Sequence, residues 1–67
     1  MAMVTSVEEI TEALVDRVHD YVFFSPRGVN AKYVANGLQV PVPIANFILK
    51  ELAYDGTLIQ KGTWYYG

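Results

Sequence analysis

Apolar residues recur at regular intervals in the first third of the chain. They follow one another at steps of three and four residues, and the series reads Val7, Ile10, Leu14, Val18 and then Tyr21 or Val22. This spacing places the apolar side chains along one side of an α-helix. The pattern therefore predicts an amphipathic helix whose apolar side packs against the rest of the protein.

Residue types that cap or break helices mark both ends of this first helix. Ser6 is followed three residues later by Glu9, which is the spacing of a capping box. At the other end, Pro26 disfavours helical backbone at the residue before it, and Gly28 permits a turn. We therefore predict that the first helix spans about residues 7–24.

A second, shorter helix is predicted after this break. Asn30 is a preferred N-cap residue, and a short apolar face follows it, formed by Ala31, Val34, Ala35 and Leu38. Gly37 adopts a positive φ at little cost, and many helices end in that conformation. The second helix is expected to span about residues 31–36.

Two prolines introduce a third helix. Pro41 and Pro43 suit positions just before a helix or in its first turn, where a missing N–H costs no hydrogen bond. An apolar-rich segment follows, and Asp55-Gly56 is a typical stop. We predict a helix over about residues 42–54.

The end of the chain has the pattern of a β-hairpin over about residues 57–66. Lys61-Gly62 is predicted as the two-residue loop, with short strands on either side. This register places Ile59 opposite Trp64. It also places Leu58 opposite Tyr65.

The segment between the first two helices and the aromatic end of the chain are both expected to join this hairpin. Val29 is predicted to pair with it. The run Trp64-Tyr65-Tyr66 is expected to pack on the first helix, although aromatic rings also suit stacking on bases or sealing a dimer.

Length and composition are typical of one small domain. The chain has 67 residues, of which 52% are hydrophobic, and it has no cysteine. No segment reaches the roughly 18 apolar residues of a membrane span, and no secretory signal pattern is present. We expect a single cytoplasmic domain over residues 1–67, of α+β class and mostly α, with three helices and a C-terminal β-hairpin.

Charge is distributed unevenly along the chain, whose net charge is −2. Residues 1–26 carry five acidic side chains and one basic one, whereas residues 27–67 carry four basic and two acidic ones. The second half therefore suits a polyanionic partner, with the acidic first helix placed behind it. The alternative interpretation is that the acidic helix is simply a solvated face.

The run from Leu38 to Leu52, followed by Asp55-Gly56-Thr57-Leu58-Ile59, resembles the turn, recognition helix and wing entry of winged helix-turn-helix transcription regulators. The resemblance covers about residues 29–67. It implies a winged-helix fold in which the third helix enters the DNA major groove and the hairpin, or wing, touches the backbone.

The resemblance also implies which side chains would contact DNA. The outward face of the third helix would hold Pro43, Ile44, Asn46, Phe47 and Lys50, and its inward face Ala45, Leu49 and Leu52. Of the outward set, only Asn46 and Lys50 can make polar contacts to bases or phosphates. Phosphate contacts are expected from Arg27, Lys32, Lys50 and Lys61.

Two functions follow from these patterns. The first is a small DNA-binding regulator, dimeric, that binds double-stranded DNA through the polar residues just named. The second is a protein-interaction module without DNA binding, in which Pro43, Ile44 and Phe47 form an apolar contact surface. The partner is then a protein or a second copy of the chain.

No enzyme activity, metal site or cofactor is predicted. The chain has one histidine, His19, and the acidic residues near it would supply only carboxylates to a metal. No serine or threonine is accompanied by a positioned base.

Overall fold

Three helices followed by a two-stranded antiparallel hairpin make up the part of the chain that the computed structural model describes, residues 11–67. The elements are α1 (Glu12–Phe23), α2 (Ala31–Leu38), α3 (Val42–Tyr54), β1 (Ile59–Lys61) and β2 (Trp64–Tyr66). This order confirms the predicted class, α+β and mostly α with a C-terminal hairpin. None of the helices in residues 11–67 combines the length and the apolar content that a bilayer crossing requires.

The first helix begins later than predicted. Thr11 is its N-cap, with an extended backbone and a hydroxyl that accepts a hydrogen bond from the Leu14 N–H at 3.1 Å. A threonine that satisfies a free helical N–H in this way starts a helix rather than continuing one. Because Thr11 is not helical, the described helix begins at Glu12; the predicted start at Val7 lies outside the described residues. The capping box of Ser6 and Glu9 lies outside the described residues.

The second helix is longer than predicted and ends differently. Asn30 caps it as expected, its Oδ1 accepting from the Tyr33 N–H at 2.8 Å. The helix continues through Gly37 to Leu38, and Gln39 takes the left-handed conformation with φ 58°. The N–H of Val40 then donates to the carbonyl of Ala35 at 3.0 Å, which closes the C-terminus. The predicted C-terminal role of Gly37 is therefore wrong.

Gly37 has a packing role instead. A Cβ at this position would overlap the hydroxyl and ring of Tyr21 from α1. The absence of a side chain at Gly37 leaves room for the end of the Tyr21 side chain. Tertiary contact, rather than backbone conformation, therefore accounts for the glycine.

The third helix has the predicted bounds, Val42–Tyr54. Pro41 is the N-cap, and its carbonyl accepts hydrogen bonds from the N–H groups of Ile44 and Ala45, both at 3.0 Å. Asp55 follows the last helical residue, and the positive φ of Gly56 turns the chain away. Both prolines and the Asp-Gly stop thus occupy the predicted positions.

The hairpin forms in a register shifted by one residue from the predicted one. Its pairs are Ile59 with Tyr66, Gln60 with Tyr65 and Lys61 with Trp64. The loop is therefore Gly62-Thr63 rather than Lys61-Gly62. A positive φ at the first loop residue, here 63° at Gly62, is what a type II′ turn requires. A shift of one residue moves every side chain of a strand to the other face.

The core lies where the three helices and the hairpin meet. Its buried members are Val18, Val22, Val29, Val34, Ala35, Ala45, Ile48, Leu49, Leu52, Leu58 and Tyr65. Val29 forms an antiparallel bridge with Tyr65, as predicted for this segment. Strand β2 also contacts α1, which confirms that the aromatic strand packs on the first helix. By contrast, Phe23 and Phe24 at the end of α1 are exposed.

Candidate functional site

The orientation of α3 determines which predicted contact residues are accessible. Ala45, Leu49 and Leu52 are buried, as expected for the inward face. Lys50 is exposed, and Asn46, one turn before it on the same side of the helix, is half-buried. The two polar residues of the predicted recognition face are therefore neighbours at the surface.

A groove between α2, α3 and the hairpin brings three of the predicted DNA contacts together. We call it the helix groove. It has a volume of about 480 Å³, and Lys32, Asn46 and Lys50 all line it. Gln60 and Thr63 of the hairpin supply further polar side chains. Side chains from three separate elements thus converge on one concave surface.

A second groove lies between α2 and the outer face of the hairpin. We call it the wing groove. It has a volume of about 440 Å³ and is lined by Arg27, Gly28, Asn30, Lys32, Tyr33, Asn36 and Trp64. Asn30 and Lys32 line both grooves, so the two surfaces are continuous at the start of α2.

The two grooves are lined by basic but not by acidic side chains of residues 11–67. Arg27, Lys32 and Lys50 line the two grooves, and no Asp or Glu of residues 11–67 lines either one. Glu51 and Asp55 line a different groove, on the flank of α3 that faces α1. A surface with cations and amides but without carboxylates favours an anionic partner.

Phe47 lies on that acidic flank of α3, whereas its sequence neighbour Asn46 lines the helix groove. It is 50% exposed and shares its groove with Val15 of α1 and with the two carboxylates. Ile44 is half-buried and packs partly against the core. Pro43 is exposed. The structure therefore divides the predicted face into a polar side and an apolar side.

Lys61 lies outside both grooves. It is exposed in β1 and pairs with Trp64 of β2, and cross-strand partners project from the same face of a hairpin. Its charge is therefore close to the indole that borders the wing groove. Lys61 was predicted in the hairpin loop, but it is the last residue of β1 and lies beside an aromatic ring.

Tyr33 was not among the predicted contact residues, and base stacking was only the alternative prediction for the aromatic run that contains Trp64. Trp64 is 44% exposed and Tyr33 52% exposed, and both line the wing groove. The signal that would have identified Trp64 is Gly62-Thr63, because a glycine at the first loop position favours a type II′ turn. That register turns Tyr65 into the core and Trp64 outward.

Tyr33 is held beside Tyr21 of α1. Their ring centroids are 5.5 Å apart, with the planes tilted by 40°. Burial, and then the nearby Tyr33 hydroxyl, raise the pKa of Tyr21. Tyr21 is therefore neutral at physiological pH and adds no negative charge beside Tyr33.

Comparison of the chain with protein-family models, with curated proteins and with solved structures finds no match. Among residues 11–67, no group of three or more His, Cys, Asp or Glu side chains is arranged to hold a metal ion. The arrangement of side chains in the two grooves is therefore the basis for inferring a function.

Proposed function

We propose that this protein is a winged-helix DNA-binding regulator that binds double-stranded DNA through the helix groove. One observation carries the proposal. Lys32 from α2 and Asn46 and Lys50 from α3 line a single groove, which no Asp or Glu of residues 11–67 lines. The overall charge of the chain is negative, so a local surface of this kind is needed for any attraction to a polyanion.

The side chains in the groove divide into two roles. The amide of Asn46 suits the edge of an adenine, and the ammonium group of Lys50 suits a guanine edge or a phosphate. Lys32, at the start of α2, suits a backbone phosphate, which positions the protein without reading sequence. Arg27 and Lys61 extend the cationic surface toward the wing.

The number of cations limits the affinity of a single copy. Arg27, Lys32, Lys50 and Lys61 are four phosphate-binding candidates, and a dimer doubles this number on a two-fold symmetric site. We therefore propose that the regulator acts as a homodimer. A cytoplasmic location is part of the same proposal.

The test is a fluorescence anisotropy titration of a random-sequence duplex at several salt concentrations. Lys50→Ala and Asn46→Ala alter the groove, and Arg17→Ala is the matched control. Arg17 carries the same charge but lies on α1, beside Asp20 and away from both grooves. Removing one phosphate contact reduces the slope of log affinity against log salt by about 0.9.

We expect Lys50→Ala to weaken binding and to reduce this slope, and Arg17→Ala to leave both close to wild type. Asn46→Ala should weaken binding with little change in the slope, since it removes no charge. If duplex DNA does not bind at low salt, or if Arg17→Ala has the same effect as Lys50→Ala, the proposal is wrong.

A second candidate function is a protein-interaction module, and the exposed aromatic residues of α3 favour it. Phe47 is 50% exposed and Tyr54 92% exposed, and a separation of seven residues places both on one side of the helix. Exposed apolar surface of this kind often marks a protein contact.

Analytical ultracentrifugation tests this second function. Phe47→Ser should abolish self-association or partner binding if α3 forms the contact. Ile59→Ser is the control, because Ile59 is equally exposed, at 56%, but belongs to the hairpin. Loss of association in Phe47→Ser alone, together with an absence of DNA binding, would favour the interaction module over the DNA-binding regulator.

A further inference from the structure

The wing groove combines two kinds of side chain that the helix groove does not. Its lining includes the aromatic rings of Tyr33 and Trp64, both about half exposed, as well as the cations Arg27 and Lys32. An indole that stays exposed to water does not gain the free energy that burial of its large apolar surface would give. We propose that the wing groove binds an unpaired base of single-stranded nucleic acid, stacked on Trp64.

The aromatic part of the groove suits a nucleobase. Every base has a flat π-face, and proteins that bind single strands stack bases on Trp, Tyr and Phe rings. A base inside a duplex is already stacked on both faces, so an indole can cover it only when it is unpaired. The groove volume of about 440 Å³ lies within the range of small-ligand sites, about 300–1,000 Å³.

The charged part of the groove suits the phosphates on either side of that base. Arg27 and Lys32 line the groove, and Lys61 lies across the hairpin from Trp64 on the same face. No carboxylate of residues 11–67 lines the groove to oppose them. Cations that flank an aromatic platform are the arrangement by which single-strand binders follow a backbone.

The amide of Asn36 supplies a group that can hydrogen-bond to a base edge. Its side chain lies in the wing groove, is exposed, and carries both donors and an acceptor. Asn30 is less free to do so, because its Oδ1 already accepts from the Tyr33 N–H. Stacking with a single adaptable amide gives binding with little sequence preference.

This inference goes beyond the proposed function and does not depend on it. Trp64 does not line the helix groove, and Asn46 and Lys50 do not line the wing groove. Among residues 11–67, Asn30 and Lys32 alone line both grooves. Variants at Lys50 and at Trp64 therefore test the two sites separately.

Trp64 is the only tryptophan in the chain, so its fluorescence reports directly on this groove. The experiment titrates the wild-type protein with three probes: single-stranded oligothymidylate, a blunt random-sequence duplex and inorganic polyphosphate. Oligothymidylate should quench the Trp64 emission in a saturable manner. Polyphosphate carries the charge but no bases, so it should not quench the emission even where it binds.

The contribution of the Trp64 ring is then measured with variants, by fluorescence anisotropy of a labelled oligothymidylate. Trp64→Leu should weaken binding about 5- to 150-fold, the range expected for the loss of one base stack. Trp64→Phe keeps an aromatic face and should retain most of the affinity. Tyr54→Ala, which removes an exposed aromatic side chain from α3, is the matched control and should bind as wild type does.

Several results would overturn the inference. Equal quenching by polyphosphate would show that the emission responds to charge alone. Quenching by the duplex but not by the single strand would identify duplex DNA as the occupant. Unchanged affinity in a folded Trp64→Leu variant would exclude stacking.

The quenching experiment uses the wild-type protein, so it still tests the inference if Trp64→Leu does not fold. If Lys50→Ala weakens duplex binding and leaves single-strand binding intact, the two sites are distinct.

Discussion

Val29 and Tyr65 exchange two backbone hydrogen bonds. The Val29 N–H donates to the Tyr65 carbonyl at 2.9 Å, and the Tyr65 N–H donates to the Val29 carbonyl at 2.7 Å. Both side chains are buried. This pair attaches the segment between α1 and α2 to the hairpin, and it places the start of α2 beside β2. The two grooves meet at that junction.

Replacement of Tyr65 should be strongly destabilising. Tyr65→Ala removes a 2% exposed ring from the core and is expected to lower the free energy of unfolding by about 3–5 kcal/mol. Urea denaturation followed by circular dichroism measures this change. Tyr54→Ala is the same substitution at a 92% exposed position and should remain within about 0.5 kcal/mol of wild type. Similar losses in both variants would contradict the described burial of Tyr65. If Tyr65→Ala does not fold, Tyr65→Leu should show a smaller loss in the free energy of unfolding that can still be measured.

Gly37→Ala should not give the stability increase that this change usually gives in a helix. An alanine in place of a helical glycine typically adds about 0.5–1 kcal/mol. Here the new Cβ meets the Tyr21 ring, which must move away from α2 and from Tyr33. We expect a net loss on the order of 1 kcal/mol.

A double-mutant cycle shows whether Tyr21 is the cause. In a Tyr21→Leu background the obstruction is gone, so Gly37→Ala should become neutral or stabilising. The two changes should therefore couple by about 1 kcal/mol or more. Additive effects would mean that Tyr21 does not pack on Gly37 as described.

The hairpin loop should be sensitive to the side chain at position 62. Gly62 has φ 63°, a conformation that costs an L-residue roughly 1–2 kcal/mol. Gly62→Ala is therefore expected to lower the free energy of unfolding by about 1 kcal/mol, whereas Thr63→Ala at the neighbouring loop position should be nearly neutral. Backbone nuclear Overhauser effects provide a direct check of the register. They should connect Gln60 with Tyr65, and contacts between Ile59 and Trp64 in their place would support the register predicted from the sequence.

Stability should fall in acid as Asp55 is protonated. Its carboxylate accepts hydrogen bonds from the Thr57 hydroxyl at 2.6 Å and from the Thr57 N–H at 2.9 Å. The hydroxyl contributes more than the N–H, and together they lower the pKa of Asp55 below 3.8. The stabilisation is therefore fully present above pH 3.8, the unfolded value, and is lost as the pH falls through the lower pKa of the folded state.

Thr57→Val tests the larger of these two causes. It removes the hydroxyl and leaves the backbone N–H in place, so the pKa of Asp55 should move back toward 3.8 without reaching it. Titration of the Asp55 carboxyl carbon by NMR measures the shift. An unchanged pKa in Thr57→Val would show that the hydroxyl does not hold the carboxylate in solution.

Local signals in the sequence were sufficient for several elements. The bounds of α3 follow from Pro41, Pro43 and Asp55-Gly56, because each of these acts on the backbone within one turn. The Asn30 cap is local for the same reason. At these positions a single local signal marks the end of the helix, and the predicted and observed ends agree.

Other elements depended on a choice between local signals that only distant contacts decide. The sequence predicts that Gly37 ends α2, but in the structure Gln39 takes the left-handed position and Gly37 lies inside the helix against the Tyr21 ring. The sequence predicts Lys61-Gly62 as the hairpin loop, whereas the structure has Gly62-Thr63. The observed register places Tyr65 against Val29 in the core. The predicted register was derived from the loop and strand pattern of the hairpin alone.

For the candidate sites, the sequence by itself determined which side chains can carry charge, hydrogen bonds and stacking surface, because residue type sets chemistry. It also determined that the cations fall in the second half of the chain. Only the tertiary structure decided that Lys32, Asn46 and Lys50 share one groove, that Trp64 joins Arg27 in another, and that Phe47 lies with Glu51 and Asp55 on the opposite flank. The physical reason is that these groupings join residues far apart in the chain, and their positions depend on how the helices and the hairpin pack around the buried core.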